Sequence, residues 1–372
     1  MMTLDELLHF MIEQGASDLH LKVGRPPGFR INGELAPLSD AAPLDAEDMG
    51  RMVEQMFNAK GGDDRPTTVE PGTEVDFSFS IPGLARFRVN VFHQRNQMGA
   101  ALRAIPLKIL TMEELGFPPI LAELALKPRG LVLVVGPTGS GKSTTLAGMI
   151  DLINAREKTH IITVEDPIEF WHEDKVSYIN QRQVAHDTES FSTALKYALR
   201  QDPDVILVGE MRDLETTTAA ISAAETGHLV FATLHTTSAA QTVDRIIDIY
   251  PSEQQAQIRL QLSMTLQGVV SQTLLKRRDG KGRECAMEIL VGTPPIRNLI
   301  REGKTHELPG ILQTARDAGM QTLEDSLRQL YQKNLITRES ALGAANNPDG
   351  LARRLEVASP ASVPSPDPRR LR

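Results

Sequence analysis

Apolar residues in this chain change period several times, and each change marks an element. Over residues 4–14 they fall at Leu4, Leu7, Leu8, Met11 and Ile12, a helical spacing, and Gly15 is placed to end the helix. Residues 18–23 alternate with period two and predict a strand. Asn32-Gly33, between Phe29-Arg30-Ile31 and Glu34-Leu35, predicts a hairpin, because this pair supplies the positive φ angles of a two-residue turn. Met49, Met52, Val53, Met56 and Phe57 return to helical spacing behind Asp45, a suitable N-cap. Alternation resumes over 74–80 and 86–92, divided by Ile81-Pro82-Gly83, and one more strand is expected at 102–105. Phe87, Val89 and Val91 share one strand face, which leaves Arg86, Arg88 and Asn90 on the other, and the following strand carries Arg103. Such arginines form either a solvated sheet face or a set of cations offered to a nucleotide held by another domain or subunit. The first 110 residues therefore predict a small α+β domain.

Prolines at 106, 118, 119 and 128 predict a linker and hinge over residues 111–128. Beyond it the pattern is different. Residues 131–135 form an unbroken apolar run, as a parallel strand covered on both faces should read. A helix is expected from 142 to 154, a strand at 160–164, a helix at 192–200 and a strand at 205–208. A helix at 214–226 ends at Gly227, and a strand follows at 229–232. Strands alternating with helices predict an α/β domain over 129–347 with a mainly parallel sheet, whose ligand site lies at the carboxyl ends of the strands. Residues 267–276 and 284–291 pair across a charged turn, and further helices are expected at 296–302 and 322–334. After residue 347 the composition turns to proline, serine and arginine, so 348–372 reads as a disordered tail.

Composition narrows the function. A net charge of −8 over 372 residues argues against a general nucleic-acid binder. The single cysteine, Cys285, leaves neither an internal disulfide nor a zinc cluster and reads as a small buried residue. The first residues are acidic where a secretion signal would be basic, and no apolar run approaches the ~18 residues that span a bilayer. The expected location is cytoplasmic, with any membrane connection made through a partner.

The candidate chemistry centres on Gly136-Pro137-Thr138-Gly139-Ser140-Gly141-Lys142-Ser143, between the apolar strand and its helix. Strand, glycine-rich turn and helix in this order aim backbone N–H groups and a helix N-terminus at one point, as ATP phosphates require. Lys142 would place an ammonium on the β- and γ-phosphates, and the Ser143 hydroxyl would ligate Mg²⁺. Gly209-Glu210 ends another apolar strand and delivers a carboxylate beside the loop, a candidate to hold Mg²⁺ through water. Glu165, Asp166 and Glu169 form a second acidic cluster, one of which is the general base; Asp166 also suits an N-cap, with Pro167 opening a helix. His235, at a strand's carboxyl end, is the better γ-phosphate sensor, whereas His228 at its start is equally a structural histidine.

Four segments together, 136–144, 165–170, 207–213 and 224–237, closely resemble the Walker A, aspartate, Walker B and histidine boxes of the secretion-superfamily ATPases. Within that superfamily, Gly15-Ala16-Ser17-Asp18-Leu19-His20-Leu21 and Pro295-Ile296-Arg297-Asn298-Leu299-Ile300-Arg301-Glu302 resemble the type IV pilus retraction ATPases. The likeness extends from about residue 3 to 345. It implies a homohexameric ring whose subunits pair a PAS-like N-terminal domain with a RecA-like P-loop ATPase domain. It also implies that Glu169 is the catalytic glutamate, Glu210 the Walker B acid, His228 and His235 members of the histidine box, and Thr144 part of the nucleotide site with residues 136–143. Arg86, Arg88 and Arg103 become candidates for nucleotide contacts from the N-terminal domain. The partners implied are further copies of the chain, an inner-membrane platform protein and a paralogous retraction ATPase, with no nucleic acid. One departure is Pro295, where the family usually has alanine; proline is acceptable at a helix start. Assembly and type II secretion motors are the nearest alternative, but they carry a longer N-terminal region and a four-cysteine zinc insert. A nucleotide-dependent regulator without turnover is the other.

Overall fold

The computed structural model describes residues 2–31, 33–39, 41–60, 69–70, 72–105 and 108–357, and it divides into two units, Met1–Ile109 and Leu110–Arg372.

The first unit opens with α1 (Leu4–Glu13), fixed by a capping box in which Thr3 Oγ1 accepts from Glu6 N at 3.2 Å and Thr3 N donates to Glu6 Oε2 at 2.7 Å. It continues through β1 (Ala16–Lys22), β2 (Gly28–Ile31), β3 (Glu34–Pro37), α2 (Ala46–Lys60), β4 (Val75–Ile81), β5 (Ala85–Gln94) and β6 (Gln97–Ile105). The strands form one antiparallel sheet in the order β3-β2-β1-β6-β5-β4. Ile31 faces Glu34 across the two-residue turn, with Gly33 at φ 89°; Asn32 lies outside the described residues. Leu7 and Met11 of α1, Met49 and Met56 of α2, and the alternating Phe87, Val89 and Val91 of β5 are buried in one core. The opposite face of β5 carries half-buried Arg86 and Arg88, and Arg88 stands opposite Arg103 of β6. Arg103 Nε donates to Asp18 Oδ1 at 2.9 Å.

The second unit begins with α3 (Pro119–Ala125), β7 (Gly130–Val135), α4 (Lys142–Arg156), β8 (His160–Glu165), β9 (Tyr178–Gln183), α5 (Phe191–Ala198), β10 (Val205–Val208), α6 (Leu214–Glu225) and β11 (Leu229–Leu234). Then follow α7 (Ala239–Asp248), α8 (Ser252–Thr265), β12 (Leu266–Lys276), β13 (Arg283–Val291), α9 (Pro294–Glu302), α10 (Leu308–Thr314), α11 (Leu323–Gln332), α12 (Arg338–Ala344) and α13 (Pro348–Val357). The sheet order is β13-β12-β7-β11-β10-β8-β9, parallel from β12 through β9, with β13 antiparallel at one edge. β7 reads as a continuous apolar run because it is covered on both sides. Leu131, Leu133 and Val135 enter a core with α6, α7, α8 and α9, while Val132 and Val134 enter another with α3 and α4.

Two expectations are corrected. The segment expected as a linker over 111–128 contains α3, whose Leu121, Leu124 and Ala125 are buried in the core of the second unit with Met112. Two of the four prolines that suggested a linker, Pro118 and Pro119, instead start the helix, since proline is tolerated where the first N–H groups have no intrahelical partner. The tail expected over 348–372 begins with α13, whose Leu351 and Leu355 pack with Leu275, Leu323 and Leu327. A short amphipathic helix buries too few apolar groups to stand out among prolines and arginines; residues 358–372 lie outside the described residues. Pro294 and Pro295 occupy the first turn of α9, and Arg297 there donates to Gly292 O at 2.7 Å, just before its own helix, and to Met264 O at 2.7 Å, where α8 ends.

Candidate active site

β7 runs into the phosphate loop at Gly136, where φ is 144° and an added Cβ would lie 2.5 Å from Gln272 O of β12. Only glycine lets the loop rest on that neighbouring strand. Pro137, Thr138 and Gly139 form an exposed tip, Ser140 turns inward and is buried, and Gly141 is the N-cap of α4 at φ 90° without a side-chain cap. The first N–H groups of α4 are therefore available to an anion. Open space lies against Gly139, whose added Cβ would meet nothing within 4 Å. Ser143 and Thr144 are half-buried in the first turn of α4.

Lys142 Nζ donates to Gly136 O at 2.8 Å and to Pro137 O at 3.1 Å, which folds the ammonium over its own loop. Burial lowers its pKa, while Glu210 and then Glu169 pull it back up, so both carboxylates act on this ammonium.

Glu210 follows β10 through Gly209, a position hemmed in by Val164 O at 3.2 Å and Glu165 Cα at 3.3 Å from an added Cβ. The Thr233 hydroxyl donates to Gly209 O, and Met211 N donates to Thr233 O at 3.1 Å, tying the ends of β10 and β11 together. Arg212 Nη2 lies 2.7 Å from Glu210 Oε2 and His235 Nε2 lies 3.1 Å from Oε1. Burial opposes ionisation of Glu210, but the Arg212 hydrogen bond and the His235 and Arg212 charges together outweigh it and hold its pKa below the ordinary value. Asp213 accepts from Thr216 N at 2.8 Å and is the N-cap of α6.

The acidic cluster after β8 resolves by environment. Glu165 is tied down on both oxygens: Oε1 accepts from Thr163 Oγ1 at 2.8 Å and Gln181 Nε2 at 3.1 Å, and Oε2 accepts from Glu169 N at 3.4 Å. Burial raises its pKa despite these donors. Glu169 is exposed. Asp166 is not a helix N-cap, as no helix follows it, and Pro167 stands in an irregular segment instead of a first helical turn. His228 is also corrected. It sits at the amino end of β11, six residues of strand away from His235, with Nδ1 2.9 Å from Ala223 O at the end of α6. A strand of that length separates the two histidines by about 20 Å, so His228 takes no part in this chain's phosphate site.

Two groups missed in the sequence shape the site. Gln181 and Gln183 lie on β9, an edge strand paired to β8 alone, and a polar strand with one neighbour has no apolar alternation to reveal it. Arg212 lies within the quoted 207–213 segment, but nothing in its spacing distinguished an anchor for Glu210 from a solvated arginine. Burial pushes the Cys285 thiol up to about 12, away from the thiolate form a reactive cysteine needs.

The phosphate loop with an uncapped helix start, a lysine folded over it and two carboxylates acting on that lysine fit a nucleoside triphosphate with its metal. A family model described as type II/IV secretion system protein matches residues 2–342. The chain belongs to this family. It is 53% identical to the type IV pilus retraction ATPase PilT of Pseudomonas aeruginosa, over 94% of this chain and 99% of that protein. It is 49% identical to a twitching motility protein of Neisseria gonorrhoeae, over 88% of this chain and 86% of that protein. A crystal structure of the pilus retraction motor PilT with bound ADP aligns at a TM-score of 0.84 and 47% identity, covering 95% of this chain and all (100%) of that one. With the phosphate loop intact, this member of the family is a nucleotide-binding ATPase.

Proposed function

We propose that this ATPase is the motor that retracts type IV pili, powering twitching motility by withdrawing pilin subunits. The observation that carries the reading is Lys142, folded over the phosphate loop and acted on by both Glu169 and Glu210. In this reading the second unit is a RecA-like ATPase domain and the first a PAS-like domain. The 136–144 segment grips the triphosphate, and Ser143 and Glu210 are the residues that would hold Mg²⁺, which would supply charge neutralisation at the phosphates. Glu169, exposed on its loop, takes the proton of the attacking water. Lys142 leaves the loop carbonyls for the phosphates, and His235 links the γ-phosphate end of the site to Glu210.

Arg86, Arg88 and Arg103 of the first unit are proposed to meet the nucleotide from their sheet face, coupling hydrolysis to movement between domains; such coupling requires nucleotide to bind the two states unequally. The working assembly is proposed as a homohexamer in the cytoplasm, docked on an inner-membrane platform protein and working beside a paralogous retraction ATPase. Among the described residues no helix is long and apolar enough to cross a membrane, in keeping with attachment through a partner.

The test is Glu169→Gln. Purified protein should keep ATP affinity and lose turnover by about 10² or more, and cells carrying only this allele should bear abundant, immobile fibres. Wild-type turnover would refute the base assignment, and bare cells would indicate an assembly motor.

A further inference from the structure

Glu169 stands on an irregular segment, yet a general base must hold its carboxylate within tenths of an ångström of one position. Among the described residues the exposed Glu169 side chain makes no hydrogen bond and feels only the charge of Lys142 from the phosphate loop, so its placement depends on the backbone beneath it. Residues 168–172 are held by side chains reaching across from β9 and β8. Gln181 Nε2 donates to Phe170 O at 2.8 Å and to Glu165 Oε1 at 3.1 Å, and Gln181 Oε1 accepts from His172 N at 2.8 Å. Glu165 Oε2 accepts from Glu169 N at 3.4 Å, and Gln183 Oε1 accepts from Ile168 N at 3.4 Å. Gln181 is itself fixed, paired with Thr163 in a parallel register that runs from His160 opposite Tyr178 to Glu165 opposite Gln183.

We infer that Gln181 is the positioning residue for Glu169, its amide clamping the loop directly through Phe170 and His172 and indirectly through Glu165. The inference rests on the reading of Glu169 as the base. The chemistry of the position is specific. A primary amide has two N–H donors and one carbonyl acceptor that can be engaged at once, and all are used here. A carboxylate of the same size offers no donor and would face the buried Glu165. An apolar side chain of the same length would fill the space and hold nothing. The Gln181 amide is spent on Phe170, His172 and Glu165, so it acts through the loop.

The test uses full-length assembled protein and the variants Gln181→Met, Gln181→Glu, Glu169→Gln and the Glu169→Gln/Gln181→Met double variant. Steady-state kcat and KM for MgATP are measured beside Kd for a fluorescent ATP analogue. Gln181→Met should lower kcat by about 10- to 10²-fold, as a misplacement of about 1 Å predicts, with Kd within about twofold of wild type. Gln181→Glu should lose at least as much. In the Glu169→Gln background Gln181→Met should cause no further loss, because a group acting through Glu169 has nothing left to position. Wild-type kcat in Glu169→Gln would refute the base and the positioning inference with it. An inactive Glu169→Gln beside a fully active Gln181→Met would overturn the positioning alone. So would the same fold-loss in both backgrounds, or a Kd change as large as the kcat change. Should Gln181→Met fail to fold, Gln181→Glu carries the test, since it keeps the length and removes the donors to Phe170 O and Glu165 Oε1; a loss of kcat at unchanged Kd is expected, and wild-type kcat would overturn the inference.

Discussion

Two glycines of the phosphate loop give substitutions with opposite consequences. An alanine at 136 would place its Cβ 2.5 Å from Gln272 O, a backbone atom of β12, and 2.6 Å from Ser140 Oγ. The hydroxyl can rotate away, but the carbonyl belongs to a strand paired on both sides, so loop and strand must part by about 1 Å, enough to cost on the order of 10² in activity. The backbone adds to this, since φ 144° at this position is a conformation that only glycine adopts freely. Together, strain and overpacking of about 2 kcal/mol each should remove about 4 kcal/mol of stability. Alanine at 139 meets nothing within 4 Å, and its φ of 77° costs only about 1–2 kcal/mol. In the proposed reading, however, the open space against Gly139 is where phosphate enters, so the methyl would obstruct it. The assay is urea denaturation without nucleotide, followed by titration with a fluorescent ATP analogue. Gly136→Ala should shift the denaturation midpoint strongly, whereas Gly139→Ala should shift it little and weaken ATP binding by about 10². A wild-type midpoint in Gly136→Ala, or wild-type affinity in Gly139→Ala, would refute the reasoning.

Lys142→Ala should weaken MgATP binding by about 10- to 10²-fold, the worth of a charged hydrogen bond to phosphate; equal Kd values in wild type and variant would contradict the role of the loop. His172 supplies a pH dependence. Burial, reinforced by Lys175 and opposed by Asp151, pushes its pKa down to about 4, and the folded state therefore binds fewer protons than the unfolded chain between that value and 6.5. Stability from this group is complete above the unfolded value and falls as pH drops, by about 2 kcal/mol between pH 7 and pH 5. His172→Asn should remove that part of the acid sensitivity in urea denaturation at the two pH values, and identical pH dependence in wild type and variant would refute it.

The residues that could be read from the chain were those whose surroundings repeat along it. β7 is apolar at every position because both of its faces are covered, and the loop after it must be rich in glycine to lie against Gln272. Glu210 was legible for the same reason: four buried residues, Val205–Val208, deliver it to the strand ends. Choosing among Glu165, Asp166 and Glu169 was different, because it depends on what crosses from another element. Glu165 is held by hydrogen bonds from Thr163 and Gln181, and Gln181 lies on an edge strand whose polar sequence carries no period. α3 and α13 were hidden by the opposite fault, with proline taken as a sign of irregular chain where it opens a helix. His228 misled because a motif gives order along the chain but not direction through space: a single strand carries it to the opposite end of β11 from His235. In the proposed reading the catalytic apparatus is thus written in two registers. Groups that bind phosphate stand in covered strands and their loops, where sequence periodicity exposes them. The groups inferred to aim the proposed base stand on an edge strand, where only the folded register of β9 against β8 brings them to bear.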